Sequence, residues 1–381
     1  MASLLETNHN MQFTPQRLER VHQIMRHEKI DAIVVTYARD VHYLTGYDIP
    51  DSRLPVACVI VEGYKPRLII SENQMESVGI ESVMASIESI PVTNLEEWLG
   101  THTPKLWDKI HDIIEELETT SGMIGLQQDF LSVNEFNYVK KILPEAGFAD
   151  YSHIFWRLRQ IKDNSELDAI IEAVKIAEIG LRTAFEIIAP GKSEGEAAIE
   201  IESAIRNVGG QLRGIRAAVL TGSSITCPYT KSSGNRLTMD DPIVIDITVS
   251  HKGYFAELAR TLHLGTPTSS QRKLFESAIK VCEQAEHLIA PETRISDFVA
   301  KIYQESTIQN NVQSIGCSIG LDLREPPQLS IENNLSFREG MVFSLHPSIY
   351  RADVGGVKIA EMIQVTKDGC RNISGIARET F

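Results

Sequence analysis

The stretch DDPIVIDITVSHKGYFAELARTLHLG, residues Asp240–Gly265, decides the fold. It contains two runs rich in apolar and β-branched residues, separated by a turn that contains a glycine. This pattern predicts two antiparallel strands joined by a short turn. Two acidic residues, Asp246 and Glu257, lie eleven residues apart, one on each predicted strand. They are the first candidate site residues.

Composition excludes several classes of partner. The 381 residues carry a formal net charge of -14, which argues against nucleic acid or an anionic membrane surface, because both need clustered cations. The sequence has no apolar run long enough to span a bilayer and no secretory signal pattern at its start. The five cysteines are odd in number and widely spaced, which favours a reducing, cytoplasmic location. We expect a small-molecule substrate.

The pattern predicts two domains, 12–155 and 162–381, separated by a charged connector at Trp156–Asn164. A long amphipathic helix is predicted from Ser165, with Asp168 completing a capping box. The first domain mixes helices with short apolar runs that predict strands at Asp31–Tyr37, Tyr43–Tyr47, Val56–Val61 and Arg67–Ser71.

The second domain contains a weak internal repeat. Ile188-Ala189-Pro190 and Ile289-Ala290-Pro291 each end a predicted helix, and a second amphipathic helix follows both. The helix that follows Ile188-Ala189-Pro190 starts with a capping box formed by Ser193 and Glu196. The repeat predicts two α+β halves, with a site between them that draws residues from both.

The hairpin resembles one that carries two metal-binding aspartates in the pita-bread metallopeptidases, a family that includes prolidase, aminopeptidase P and the metal-free creatinase. The first domain is similar to the creatinase and prolidase N-terminal domain, and the resemblance extends from about Phe13 to Gly369. It implies an α+β protein with a pita-bread C-terminal domain and a smaller α/β N-terminal domain. It also implies a homodimer.

The family's metal-binding positions are mostly altered here. Asp246 keeps the first aspartate, and Glu257 stands at the second with one extra methylene. The loop Gly316–Gly320 resembles the family's Gly-His-Gly-Ile-Gly, with Cys317 in place of the histidine. Arg324, four residues later, stands where many members carry a second histidine.

The last two acidic positions are also changed. His346 stands in place of one family glutamate and Ala360 in place of the other. Glu361 is no simple substitute, because adjacent strand residues point to opposite faces. Two carboxylates, a thiol and an imidazole do not match the four positive charges of two divalent cations. We therefore expect no metal and no cofactor.

Three interpretations remain open. The first is a creatinase-like, metal-independent hydrolase or lyase that acts on a C–N bond of a small anionic or zwitterionic molecule. The second is an enzyme with a rebuilt site, either a single-zinc hydrolase that uses Glu257, Cys317 and His346 or an Xaa-Pro peptidase-like enzyme. The third is a catalytically inactive small-molecule-binding protein. Ionisable residues at four of the five positions that bind metal in the family favour catalysis.

Roles follow from residue chemistry. We expect His346 to act as a general acid or base, and Asp246 and Glu257 to bind a nitrogen or transfer a proton. Cys317 is a candidate nucleophile activated by His346. The remaining candidates are substrate-binding residues: Arg53, which resembles an arginine that creatinase offers across its dimer, Arg324, Tyr229 and Cys227.

Overall fold

The computed structural model describes residues 15–49, 54–75, 85–91, 103–211, 214–226, 230–305, 315–351 and 353–378. The chain divides into two compact units, Met1–Arg159 and Gln160–Phe381. This division falls inside the charged connector at Trp156–Asn164. Within the described ranges, no helix combines the length and the apolar character needed to cross a bilayer.

The N-terminal unit is built on one mixed sheet. Its strands are β1 Ala32–Val35, β2 Ala57–Val61, β3 Arg67–Ser71, β4 Ser86–Ile90, β5 Met123–Leu126 and β6 Gly147–Asp150. They are ordered β4-β3-β2-β1-β5-β6, with β2 antiparallel to both of its neighbours and the other pairs parallel. The helices are α1 Pro15–Glu28, α2 Ala38–Thr45, α3 Thr103–Glu116, α4 Val133–Ile142 and α5 Ser152–Arg159.

The strand predicted at Tyr43–Tyr47 was wrong. Helix α2 continues through Thr45 and ends at Gly46, whose φ is 74° and whose N–H donates to the carbonyl of His42. Glycine takes this left-handed conformation readily, so it ends the helix here. A five-residue apolar run is too short to distinguish a helix from a strand by its periodicity.

Four helices frame the C-terminal unit: α6 Asn164–Ile187, α7 Glu194–Asn207, α8 Ser269–Leu288 and α9 Ile295–Glu305. Asp163 and Glu166 form the capping box of α6, each side chain accepting the other's backbone N–H. The box predicted at Ser165 and Asp168 was therefore placed two residues too late. The box of Ser193 and Glu196 at the start of α7 is confirmed.

Ten strands are described in this unit. They are β7 Arg216–Thr221, β8 Pro242–His251, β9 Tyr254–His263, β10 Gly316–Ser318, β11 Glu325–Gln328, β12 Val342–Leu345, β13 Ser348–Arg351, β14 Gly355–Lys358, β15 Glu361–Thr366 and β16 Gly369–Asn372. One sheet has the order β7-β8-β9, a second has the order β11-β10-β12-β15-β16, and β13 pairs with β14. An isolated bridge between Ala259 and Ala360 connects the first two sheets.

The internal repeat has a counterpart in the structure. Ile188 and Ile289 follow the ends of α6 and α8, and each donates its backbone N–H to the carbonyl four residues earlier. Helices α7 and α9 then follow in matching places. The two halves supply the three-stranded and the five-stranded sheet, which meet at the Ala259–Ala360 bridge.

Candidate active site

The turn of the β8–β9 hairpin sets the register of the two acidic residues. His251 pairs with Tyr254, so Lys252 and Gly253 form a two-residue turn, with φ angles of 48° and 79°. Positive φ at both positions is typical of the turn whose twist matches antiparallel strands. In this register Asp246 lies opposite Ala259 and Thr248 lies opposite Glu257. The two acids therefore lie on one face of the sheet, as neighbours on a diagonal.

Glu257 is the centre of a buried polar cluster, and its side chain is only 2% exposed. Its Oε1 accepts from Arg324 at 2.8 Å and from Lys358 at 2.9 Å. Its Oε2 accepts from Arg324 at 2.7 Å and from the hydroxyl of Ser344 at 2.6 Å. Four bonds occupy both oxygens, so this carboxylate has little capacity left to accept a proton.

Electrostatics keep Glu257 ionised. Burial acts to raise the pKa of its carboxyl, but the positive charge of Lys358 and the contacts with His346 and Arg324 outweigh burial and hold the pKa well below its usual range. Conversely, burial acts to lower the pKa of Lys358, and Asp246 and Glu257 reverse this and raise it. Glu257 therefore organises cations, and the proton-transfer role predicted for it is not supported by this arrangement.

Lys358 connects the two acids. Its Nζ lies 2.9 Å from Asp246 Oδ2 and 2.9 Å from Glu257 Oε1. The backbone of Lys358 is bound on both sides by one hydroxyl, because Thr261 Oγ1 donates to its carbonyl and accepts its N–H. This pair of bonds holds the end of β14 against β9. The strands set the backbone position of Lys358, and its ion pairs with the two acids hold the ammonium.

Ser344 and His346 enter from the five-stranded sheet. Phe343 and Leu345 belong to the apolar core formed with α8 and α9, so alternation turns Ser344 and His346 to the opposite face. The Nδ1 of His346 lies 3.0 Å from Ser344 Oγ and 3.4 Å from Glu257 Oε2. Since Ser344 donates its proton to Glu257, the proton between the serine and the imidazole belongs on Nδ1 of His346.

Asp246 has the spare acceptor of the cluster. Its Oδ1 is buried and has no hydrogen-bond partner among the described residues, while its Oδ2 faces Lys358 and, at 3.5 Å, Arg216. Arg216 lies on β7 opposite Thr248, on the same face as the two acids, and its side chain is 38% exposed. Lys358, Arg324 and Arg216 bring three positive charges, and Asp246 and Glu257 bring two negative charges. The five side chains therefore carry a net positive charge.

Cys317 lies beside this cluster, since β10 places it opposite Ser344. Burial raises the pKa of its thiol to about 11, and the nearby positive charge of Arg324 only partly opposes that effect. The thiol is therefore neutral at physiological pH. A neutral thiol is a poor nucleophile, so the nucleophile role predicted for Cys317 is not supported.

The chain segment around Arg324 is held in place by the contacts of Glu325. Glu325 forms a fully buried ion pair with Lys162, whose Nζ lies 3.2 Å from Glu325 Oε2 and 3.4 Å from Ser318 Oγ. The other carboxylate oxygen of Glu325 accepts the N–H of Asp322 at 3.0 Å. These bonds fix the chain on both sides of Arg324. Its guanidinium binds Glu257, and its predicted substrate-binding role stays a prediction.

The predicted orientation of Glu361 is confirmed. Ala360 lies at the bridge with Ala259, and Glu361 turns to the other face, where it binds Arg260, Arg378 and the hydroxyl of Ser374. Glu361 therefore does not replace the carboxylate missing at Ala360.

Four predicted residues converge in space: Asp246, Glu257, Arg324 and His346, with Cys317 beside them. Arg53, Cys227 and Tyr229 lie outside the described residues. Sequence reasoning missed Lys358, Ser344 and Arg216. The first two had a signal, because each stands two residues before a position already singled out, and strand residues two apart share a face. Arg216 had no comparable signal.

Two family models match the chain. One, described as metallopeptidase family M24, matches residues 168–367, which is more than half of the chain. The chain belongs to metallopeptidase family M24. The other, described as the creatinase/prolidase N-terminal domain, matches residues 17–161. The resemblance seen in the sequence is thereby confirmed for both domains.

Full-length relatives are similar at low identity. The chain is 25% identical over 368 residues to an Xaa-Pro dipeptidase of Pyrococcus furiosus, covering 96% of this chain and 99% of that protein. It is 24% identical over 363 residues to an Xaa-Pro dipeptidase of Lactobacillus helveticus, covering 94% and 96%.

Solved structures show the same fold. A prolidase from Pyrococcus horikoshii OT3 superposes with a TM-score of 0.82 at 22% identity, covering 96% of this chain and 100% of that one. An X-Pro aminopeptidase from Thermotoga maritima MSB8 superposes with a TM-score of 0.81 at 20% identity, covering 94% and 99%. The predicted pita-bread fold, with its creatinase-like N-terminal domain, is confirmed.

The family name implies metal ions, and we tested whether the site residues fit them. Within the described part of the chain, no group of three or more His, Cys, Asp and Glu side chains is arranged to hold a metal. The carboxylates of Asp246 and Glu257 instead face Lys358 and Arg324. A pair of divalent cations does not fit this arrangement, because two side-chain cations already match the charge of the two acids.

Proposed function

We propose that this chain is an Xaa-Pro dipeptidase-like hydrolase of small zwitterionic substrates that uses fixed side-chain cations where its family uses metal ions. The observation that carries the proposal is the ammonium of Lys358, which lies 2.9 Å from both Asp246 and Glu257. The relatives named as Xaa-Pro dipeptidases support this substrate class better than the creatinase-like interpretation.

Charge supports a zwitterionic substrate. The buried Oδ1 of Asp246 has no partner among the described residues, so it offers an acceptor to a substrate ammonium or amide N–H. Arg216 and Arg324 keep side-chain exposures of 38% and 34%, so their outer edges can meet a substrate carboxylate. An acceptor on one side and cations on the other match a molecule with an amine at one end and an acid at the other.

Bond cleavage is assigned to His346 and Lys358. With Nδ1 protonated, Nε2 of His346 accepts a proton from water as that water adds to the substrate carbonyl carbon. Lys358 uses two of its three N–H groups on Asp246 and Glu257, and the third can stabilise the oxygen that becomes negative. His346 then returns its proton to the departing nitrogen, so the C–N bond breaks and the acid and amine are released.

Turnover in the presence of a chelator tests the proposal. Purified protein is incubated with a series of Xaa-Pro dipeptides, with excess EDTA or with added Mn²⁺, and released proline is measured. We expect hydrolysis that EDTA does not reduce and that His346→Ala abolishes. Activity that appears only with added Mn²⁺ would contradict the metal-free part of the proposal.

Two other outcomes would replace the proposal. A dipeptide that stabilises the protein against heat but is never cleaved would identify a binding protein. If the protein cleaves the C–N bond of other small molecules and none of the dipeptides, the creatinase-like interpretation would be favoured instead. The homodimer and the cytoplasmic location stay predictions.

A further inference from the structure

The Asp246–Lys358–Glu257 arrangement has the form of an occupied cation site. One positive group lies at hydrogen-bonding distance from two carboxylates that come from neighbouring strands. All three side chains are largely buried, with exposures of 10%, 18% and 2%. This differs from a surface ion pair, in which water competes for both partners.

The two acids retain the properties of hard-metal ligands. Asp246 Oδ1 is buried, has no partner among the described residues and belongs to a side chain that is nine-tenths buried. Asp246 Oδ2 and Glu257 Oε1 both face the position of the ammonium. Carboxylate oxygens are the ligands that Mg²⁺, Ca²⁺ and Mn²⁺ prefer. The ligands for a hard cation are therefore present, while its position is taken.

The ammonium of Lys358 is held by two ion pairs in a largely buried position. Thr261 binds both the N–H and the carbonyl of Lys358, and β14 ends at this residue. A metal ion that entered between the acids would meet a fixed positive charge within hydrogen-bonding distance of the same oxygens. At such a distance, repulsion between like charges inside a protein opposes the binding of the ion.

Arg324 modifies the site without closing it. It occupies both oxygens of Glu257 from the side of the five-stranded sheet, and its contacts with Glu257 lie at 2.7 and 2.8 Å. Among the described residues, Asp246 is bound by Lys358 at short range and by Arg216 at 3.5 Å. Lys358 is therefore the side chain that decides whether a cation reaches Asp246.

We infer that Lys358 is a built-in cation that excludes divalent metal ions from a latent site formed by Asp246 and Glu257. The site belongs to this chain's own residues and needs no substrate. Removing the ammonium while keeping the acids should uncover it. Replacing it with another cation should not.

Mn²⁺ binding measured by electron paramagnetic resonance tests the inference. Chelator-treated wild-type protein is compared with Lys358→Ala, Lys358→Ser and Lys358→Arg, and with Lys358→Ala combined with Asp246→Asn. Circular dichroism confirms that each protein is folded. We expect the Ala and Ser variants to bind Mn²⁺ at least about tenfold more tightly than the wild type, at about one ion per chain. The Arg variant and the double variant should bind no more tightly than the wild type.

The outcomes are separate from those for the proposed function, because no turnover is measured. One Mn²⁺ bound per wild-type chain, and lost with Asp246→Asn, would overturn the inference whatever the variants do. Folded Ala and Ser variants that bind Mn²⁺ no better than the wild type would also overturn it. The serine variant retains a hydroxyl beside the two acids, which makes it the safer of the two for folding. Tight binding by either neutral variant, absent from the double variant, supports the latent site.

Discussion

Arg324 binds Glu257 through two parallel bonds, Nη1 to Oε2 at 2.7 Å and Nη2 to Oε1 at 2.8 Å. The planar guanidinium matches the planar carboxylate, which a lysine at this position would not do. One buried acid thus holds a cation from the segment after β10, while a second cation reaches it from β14. The stability of the cluster depends on that acid.

Glu257→Gln should destabilise the protein by about 3–5 kcal/mol, because it removes the counter-charge of Arg324 and leaves Lys358 with that of Asp246 alone. The free energy of unfolding from urea denaturation measures this loss. Glu332→Gln, at an exposed position, is the matched control and should change stability by less than about 0.5 kcal/mol. An unchanged midpoint for Glu257→Gln would show that the cluster contributes nothing to stability.

Stability should depend on pH through two groups of the cluster. Glu257 has a pKa below its ordinary 4.5, so its contribution is present above pH 4.5 and is lost as the pH falls through the lowered value. Lys358 has a pKa above its ordinary 10.5, so its contribution is present below pH 10.5 and is lost as the pH rises through the raised value. Denaturation midpoints across pH should be less sensitive to acid in Glu257→Gln than in the wild type. Equal acid sensitivity would refute the assignment.

Cys317 should be dispensable for catalysis. Since burial raises the pKa of its thiol to about 11, it should react slowly with iodoacetamide at pH 7.5 in the folded protein and rapidly after unfolding. Mass spectrometry of the labelled peptide measures this difference. Cys317→Ser should retain turnover, and a loss of more than about 10²-fold with an unchanged midpoint of unfolding would restore the nucleophile hypothesis.

His346→Ala should lower turnover by about 10²–10⁴-fold, the usual contribution of a general acid or base. Steady-state kinetics at saturating substrate measure the change. The exposed His27→Ala is the control and should leave turnover as it is. If His346→Ala turns over substrate at the wild-type rate, the proton transfer belongs to another group.

The homodimer and its arginine remain to be tested. The family resemblance implies that Arg53 of one subunit approaches the partner's site, so Arg53→Ala should raise KM for an anionic substrate and leave kcat nearly unchanged. Sedimentation velocity should show a dimer for both proteins. A monomeric, active wild type would remove the reason for assigning any role to Arg53.

Local pattern was sufficient for much of the fold. The two-residue turn at Lys252–Gly253 predicts the hairpin and, through strand alternation, places Asp246 and Glu257 on one face. The capping box of Ser193 and Glu196 is confirmed. It could be predicted from the sequence because its two residues lie only three positions apart. The strand predicted at Tyr43–Tyr47 was wrong, because a helix ends at Gly46. So short a segment does not show whether its apolar residues repeat with the period of a helix or of a strand.

The sequence by itself identified Asp246, Glu257, Arg324 and His346 as residues of one site, because the family pattern assigns these positions to one centre, but it did not identify Lys358 or Arg216. Only the tertiary structure decided what they do there. Glu257 became a counter-ion because Arg324 and Lys358, 67 and 101 residues away along the chain, both bind its carboxylate. Burial and charge depend on every neighbour in space, and the order of residues along one strand does not specify those neighbours.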